Sequence, residues 1–331
     1  MKFGFAIPTA PDPNDREPLR RAFETAVRAE GLGFDFGVVS QHRFTSGYPL
    51  SPWVALGAIA ARTTTLRLGT NIMLLPLDHP LDVAEEVATV DQISGGRVFV
   101  GAGLGYRRYE YDALQIPYSR RGARMSECLE ILQQAWTEDS FSFHGEHFDF
   151  DDVSVVPRPV QQPRPPIWVG ANSEAGVARA ARLADGWLAG FGDRLTALAP
   201  RVSAFRAQSA QHGRQGTVCL LRLIGVGASR AAVEEDWLPG IVDMLRSYRR
   251  AGAPGERNEQ ASRSLAGGRT SSLDAFEDML IGGTPEDVVS RLARCEELTG
   301  CEYVLATFRG PDADAQLDLF GREVIPAFAG R

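Results

Sequence analysis

The sequence predicts an α/β fold, a (β/α)8 TIM barrel with insertions, and three observations carry that prediction. Strand-like and helix-like segments alternate from end to end, with no break in composition between them. The best-defined stretch, residues 68–105, reads strand, turn, helix, turn, strand, which implies parallel pairing with a right-handed crossover. Eight such units over somewhat more than about 250 residues describe a closed barrel, with a doubly wound open sheet as the alternative.

The elements follow in order. Residues 2–7 form a first strand, and 15–31 an amphipathic helix with Leu19, Phe23, Ala26 and Val27 on its apolar face. Residues 34–39 are the second strand. The helix over 51–62 has Ser51 placed as a cap and Pro52 at its first position. The run 66–75 is apolar and nearly uncharged, as expected of a strand buried on both faces. His79-Pro80 opens the next helix, Gly95-Gly96 stops it, and 98–101 is strand four. A long helix covers 119–136. Strand five is 167–170 with its helix at 173–184, and strand six is 186–189 with its helix at 195–212. Strand seven is 217–227 with a helix over 230–249. The helix over 284–298 precedes strand eight at 301–307, and 313–328 closes the chain.

Two segments fall outside this repeat. Residues 139–166 carry alternating Phe141, Phe143, Phe148 and Phe150, which predict a small hairpin, followed by a proline-rich return. Residues 251–272 are polar and glycine-rich, either a lid over the barrel mouth or a surface insertion. The whole of 1–331 is expected to be one barrel domain carrying these two insertions.

Composition narrows the function. A net charge of −7 argues against a nucleic-acid surface. No apolar run approaches the roughly 18 residues that span a bilayer, and the N-terminus is too short in apolar residues for a signal peptide. Cys128, Cys219, Cys295 and Cys301 are scattered without metal-ligand spacing, so no metal site is expected and a cytoplasmic protein with reduced thiols fits best.

Ligands of such sheets bind at the carboxyl ends of the strands. Those ends hold Asn71 on strand three and Gly101, Gly103 and Gly105 on strand four. The glycines either open the backbone to a flat or anionic ligand or only make a tight turn. Past strand five, a helix begins near Ser173. Its exposed amides suit a phosphate, while Asn172 and Ser173 also suit plain capping.

Several short runs, in this order and spacing, resemble one family. They are Ala29-Glu30-Gly31-Leu32-Gly33-Phe34-Asp35, Gln41-His42-Arg43-Phe44, Leu68-Gly69-Thr70-Asn71, and His79-Pro80 with Ala84-Glu85-Glu86. Further on come Asp91-Gln92-Ile93-Ser94-Gly95-Gly96-Arg97, Gly101-Ala102-Gly103-Leu104-Gly105-Tyr106, Pro165-Pro166-Ile167-Trp168-Val169-Gly170 and Ala184-Asp185-Gly186-Trp187. Over almost its whole length the chain resembles the luciferase-like monooxygenases, the flavin- and deazaflavin-dependent barrels related to bacterial luciferase.

The resemblance implies an isoalloxazine-type ring at the carboxyl ends of the strands. It makes His42 the catalytic histidine, with Gln41 in place of the family glutamate and Arg43 in place of a second histidine. It places a non-proline cis peptide or bulge at Asn71-Ile72, with Asn71 at a ring edge, and it lays Gly101, Gly103 and Tyr106 beside the ring. Leu104 stands where relatives carry a phosphate-gripping arginine, and Arg107 or Arg108 is the local substitute, unless both are a solvated face. The turn at Asn172, Ser173, Glu174 and Ala175 takes the phosphate, Glu174 through its backbone N–H.

The implied activity is a two-component monooxygenase. Reduced FMN arrives from a separate NAD(P)H:flavin reductase, dioxygen adds at ring carbon C4a, and the (hydro)peroxide attacks a small-molecule substrate. Phe44, Tyr48, Tyr106, Trp187 and Phe191 either line a pocket, which would suit an apolar or aromatic substrate, or serve as packing near the barrel mouth. The alternatives are an F420-dependent oxidoreductase that transfers hydride and a non-catalytic flavin-binding subunit. A homodimer is also implied, pairing the helices that carry Ala55, Ala58, Ala61, Val83, Val87 and Val90.

Overall fold

Eight parallel strands close on themselves in the computed structural model, which describes residues 1–9, 17–44, 51–250, 265, 272–276, 279–310 and 312–330. In chain order the strands are β1 (Lys2–Ala6), β2 (Phe36–Val39), β3 (Arg67–Thr70), β4 (Val98–Gly103), β5 (Phe141–His144), β6 (Asp149–Val153), β7 (Ile167–Gly170), β8 (Gly186–Ala189), β9 (Thr217–Val226), β10 (Leu280–Gly283) and β11 (Tyr303–Thr307). The order β9-β11-β1-β2-β3-β4-β7-β8 returns to β9 through the pairs Gly186↔Thr217 to Ala189↔Leu220, so the sheet is a barrel and the open alternative is excluded.

Alternation along each strand divides the apolar side chains between two cores. Phe36, Val38, Phe99, Trp168, Leu188, Cys219 and Leu305 fill the barrel. Their neighbours face a ring of helices: α1 (Pro18–Gly31), α2 (Pro52–Ala60), α3 (Pro80–Ser94), α5 (Arg121–Thr137), α6 (Glu174–Leu183), α7 (Leu195–Gln211), α9 (Pro285–Thr299) and α10 (Ala313–Leu319), while α4 (Arg108–Ala113) and α8 (Leu238–Arg250) pack in clusters of their own.

Local chemistry explains the helix ends. His79 caps α3, its Nδ1 accepting from the Leu81 N–H at 3.4 Å, and Gly95 ends the helix at φ 66°. Thr284 and Asp287 form a reciprocal capping box on α9. Ser51 stands at the cap position of α2, but its side chain makes no capping bond, contrary to the expectation. On α1 the buried face is Ala22, Ala26 and Ala29, whereas Val27 is exposed.

The hairpin is present as β5–β6, with Phe143 opposite Phe150. The proline-rich return after it is held by Asp91 of α3, whose buried carboxylate accepts from the Val160 and Gln161 N–H groups and from Gln161 Nε2.

The seventh unit differs from its expected form. The stretch after β9 is no outer-ring helix. A π-turn at Val233–Trp237 leads into α8, and Trp237, Leu238, Ile241 and Val242 pack with Leu223, Leu273, Phe276 and Leu280 in a cluster of their own. The helix that fills the outer ring beside α7 is α9, through Val288 and Leu292. The ninth parallel strand, β10, extends the sheet along the upper half of β9, from Leu280↔Leu223 to Gly283↔Val226. The second insertion, 251–272, lies outside the described residues except for Leu265 and Ser272.

The residues expected to face a second copy are mostly used within the chain. Ala55, Val83, Val87 and Val90 are all buried. The large apolar side chains that α2 and α3 leave exposed are Val54 and Ile93. No described helix is long and apolar enough to cross a membrane.

Candidate active site

Strands β2, β3, β4 and β7 are consecutive in the sheet, and every candidate residue lies at or just past one of their carboxyl ends. His42 follows β2 and Asn71 follows β3. Gly101 and Gly103 end β4, with Tyr106 and Arg107 next, and Asn172 to Ala175 follow β7. Gly103 pairs in register with Gly170, so the last two runs leave the sheet side by side.

His42 is nearly buried, and its Nδ1 lies 3.0 Å from Oε1 of Glu110, a fully buried residue of α4. The Arg43 N–H donates to the same oxygen at 2.7 Å. The Tyr106 ring meets the imidazole edge-on at 5.5 Å. Burial pushes the Tyr106 hydroxyl above its usual range, opposed by Arg107, with Tyr248 adding to the push. Glu110 was not among the residues predicted from sequence. A single acid between Tyr109 and Tyr111 gives no periodic signal, and of those two neighbours only Tyr111 is buried.

The two departures from the family pattern at His42 have structural partners. Gln41 is buried, and its Oε1 accepts from the Leu74 N–H at 2.7 Å, bracing the chain after β3. Arg43 donates to Asp78. Together with His42, Trp53 and Glu86 they border a cavity of about 280 Å³. Burial raises the Asp78 carboxyl against the pull of Arg43, and burial with Asp78 and Asp82 nearby raises Glu86.

The Asn71-Ile72 peptide is cis. The chain there is pinned from both sides. The Asn71 N–H donates to Val39 O at 2.9 Å, Ser40 Oγ donates to Asn71 O at 2.8 Å, and the Met73 N–H donates to Gly101 O at 2.9 Å. The Asn71 side chain is half-buried and makes no hydrogen bond among the described residues. A Cβ on Gly101 would stand 1.8 Å from the Thr70 carbonyl oxygen, and one on Gly103 would stand 1.8 Å from Ile72 Cδ1. Glycine at both positions therefore makes room for the chain after β3, which explains them without a ligand.

At the other end, Ser173 caps α6, its Oγ accepting from the Gly176 N–H at 3.2 Å. The amides of Glu174 and Ala175 belong to the first turn, where no carbonyl one turn back can take them, and both residues are exposed. The Asn172 carbonyl accepts from Arg201 Nη2 at 2.8 Å. Arg107 turns back over the Tyr106 ring at 5.6 Å, while Arg108 is exposed and pairs with Asp112. Only Arg107 of the two stays beside the mouth.

The aromatic set is not brought together. Trp187 is buried on the helix side against Phe205, and its Nε1 donates to Ala171 O at 2.8 Å. Phe191 packs on the α8 cluster, Phe44 is exposed, and Tyr48 lies outside the described residues.

A planar cofactor with a phosphate tail needs an apolar floor, an amide at its edge and an anion site beyond. Ile72, the uncommitted Asn71 amide and the α6 start match those three needs. The chain belongs to the luciferase-like monooxygenase family, whose model matches residues 1–301. Among its relatives is the FMNH2-dependent dimethylsulfone monooxygenase of Pseudomonas putida, 29% identical over 322 residues, covering 90% of this chain and 85% of that one. Two solved structures share the fold. The oxygenating constituent of 3,6-diketocamphane monooxygenase from Pseudomonas putida, a type II Baeyer–Villiger monooxygenase in complex with FMN, superposes with TM-score 0.81 at 19% identity over 98% of both chains. An F420-dependent secondary alcohol dehydrogenase with an F420–acetone adduct gives 0.79 at 19% identity, again over 98% of both.

Proposed function

We propose that the protein is a flavin-dependent monooxygenase that uses reduced FMN and dioxygen to oxygenate a small apolar or aromatic molecule. The observation that carries this reading is the convergence of His42, Asn71, Tyr106 and the α6 start on four consecutive strand ends. Bound reduced FMN supplies the electrons that activate dioxygen. The residues do the rest. Asn71 offers a donor and an acceptor to the ring edge, and Ile72 underlies the ring. The Glu174 and Ala175 amides, with Arg107, hold the phosphate. His42 takes or gives a proton at the reacting face.

The dimethylsulfone relative supports FMN over F420. The F420-dependent neighbour keeps hydride transfer as the second reading. The family reading also brings a separate NAD(P)H:flavin reductase and a homodimer, for which Val54 and Ile93 remain as exposed contacts on α2 and α3. Mixing the anaerobic complex with reduced FMN against oxygenated buffer tests the activity. The protein should change the time course of oxygen consumption from that of free reduced FMN. An unchanged time course, together with F420 found by mass in the purified protein, would replace this reading with the second one.

A further inference from the structure

We propose that Glu110 is a positioning residue that fixes His42 as the tautomer with hydrogen on Nδ1, leaving the lone pair on Nε2. The kinetic part of this inference rests on His42 being the proton-handling group proposed above. The tautomer itself does not.

The geometry assigns the hydrogen. An ionised carboxylate only accepts, so a ring nitrogen 3.0 Å from Glu110 Oε1 must be the one that donates. The Arg43 N–H donates to that same oxygen at 2.7 Å, which sets the angle from which the imidazole approaches. The two residues are 68 positions apart, so α4 must be held firmly for the contact to exist. It is held by Tyr111, which is fully buried, donates to Leu104 O and meets the Tyr118 ring edge-on at 5.3 Å.

Glu110 itself is costly to keep. It is fully buried, and its Oε2 has no hydrogen-bond partner among the described residues. A buried carboxylate satisfied at one oxygen only is disfavoured on stability grounds, and a single backbone amide on Arg43 does not call for a charge. Holding the imidazole accounts for it, because an acceptor oxygen there selects one ring nitrogen as donor and holds the ring plane. With hydrogen on Nδ1, neutral His42 presents an acceptor at Nε2. It therefore acts first as a base and donates a proton only after taking one.

Two-bond 15N–1H correlation spectra of the labelled protein read the tautomer directly, with the His42 signals assigned by their loss in His42→Ala. The wild-type protein should show a protonated Nδ1 and an unprotonated Nε2. Glu110→Met, similar in volume but unable to accept, should lose that preference. Glu110→Gln should keep it, since its amide oxygen can accept both bonds. Oxygen-consuming turnover should fall about 10-fold or more in Glu110→Met, and less in Glu110→Gln, with reduced-FMN affinity unchanged. Added to His42→Ala, Glu110→Met should cost nothing further. A wild-type spectrum with hydrogen on Nε2, a Met variant that retains Nδ1–H, or additive losses would each overturn the proposal. If His42→Ala turns over like the wild type, the functional reading fails while the spectrum still decides the tautomer.

Discussion

His42 sits where two independent constraints meet, the end of β2 and the buried carboxylate of α4. Removing its side chain should leave reduced-FMN affinity nearly intact and lower turnover by about 10²-fold or more, the range that general acid–base groups supply. The wild-type activity–pH profile should carry a limb that His42→Ala lacks, and turnover measured at saturating reduced FMN across pH checks both statements. Gly101 makes a different kind of claim. Its missing Cβ is occupied by backbone, the Thr70 carbonyl, and backbone cannot rotate away. Gly101→Ala should cost about 1–3 kcal/mol, readable as a lowered midpoint in urea unfolding. The place of His42 was legible in the sequence, through the resemblance at Gln41-His42-Arg43-Phe44 and because it lies just past a predicted strand. Glu110 was not, because its contact with His42 exists only once α4 has folded, and Trp187 was misplaced because a strand-end aromatic can face either core.

At the scale of the element, the first turn of the barrel depends on Glu30, near the end of α1. Its Oε1 accepts from the Thr64, Thr65 and Leu66 N–H groups at 2.8, 2.6 and 2.8 Å, so one carboxylate ties α1 to the loop that enters β3. Burial pushes this carboxyl up, but the three amides more than offset it and hold it below the usual glutamate range. A folded-state value that is depressed gives stability that is complete above the unfolded-state value and disappears as pH falls through the folded one. Glu30→Gln should therefore melt lower than the wild type at pH 7, and the gap should close in acid. A gap that stays constant down to the acid limit would contradict this origin. Elements with long apolar runs or strong caps, such as β4 and α3, were legible. β10 was not, since Leu280-Ile281-Gly282-Gly283 is too short to show a period and is held only by pairing with β9. α8 has a strong amphipathic pattern, but such a pattern says that a face is buried and not against what. Here it is buried against an added cluster and not in the helix ring.

For the whole molecule, the count of eight units fixed the barrel, and closure through β8 and β9 follows from it. Oligomeric state is the less legible property, because the apolar residues on α2 and α3 turned out to serve mostly the chain's own core. The proposed homodimer should give a dimer mass by light scattering at tens of micromolar, and Val54→Lys with Ile93→Lys should shift it towards monomer. A wild-type monomer would remove that part of the account. The central claim, that this barrel works with reduced FMN, has the most direct test in an anaerobic titration of one protein sample with reduced FMN, oxidised FMN and F420. The account predicts micromolar-scale affinity for reduced FMN and weaker binding of the other two. Much tighter binding of F420 than of reduced FMN would contradict it.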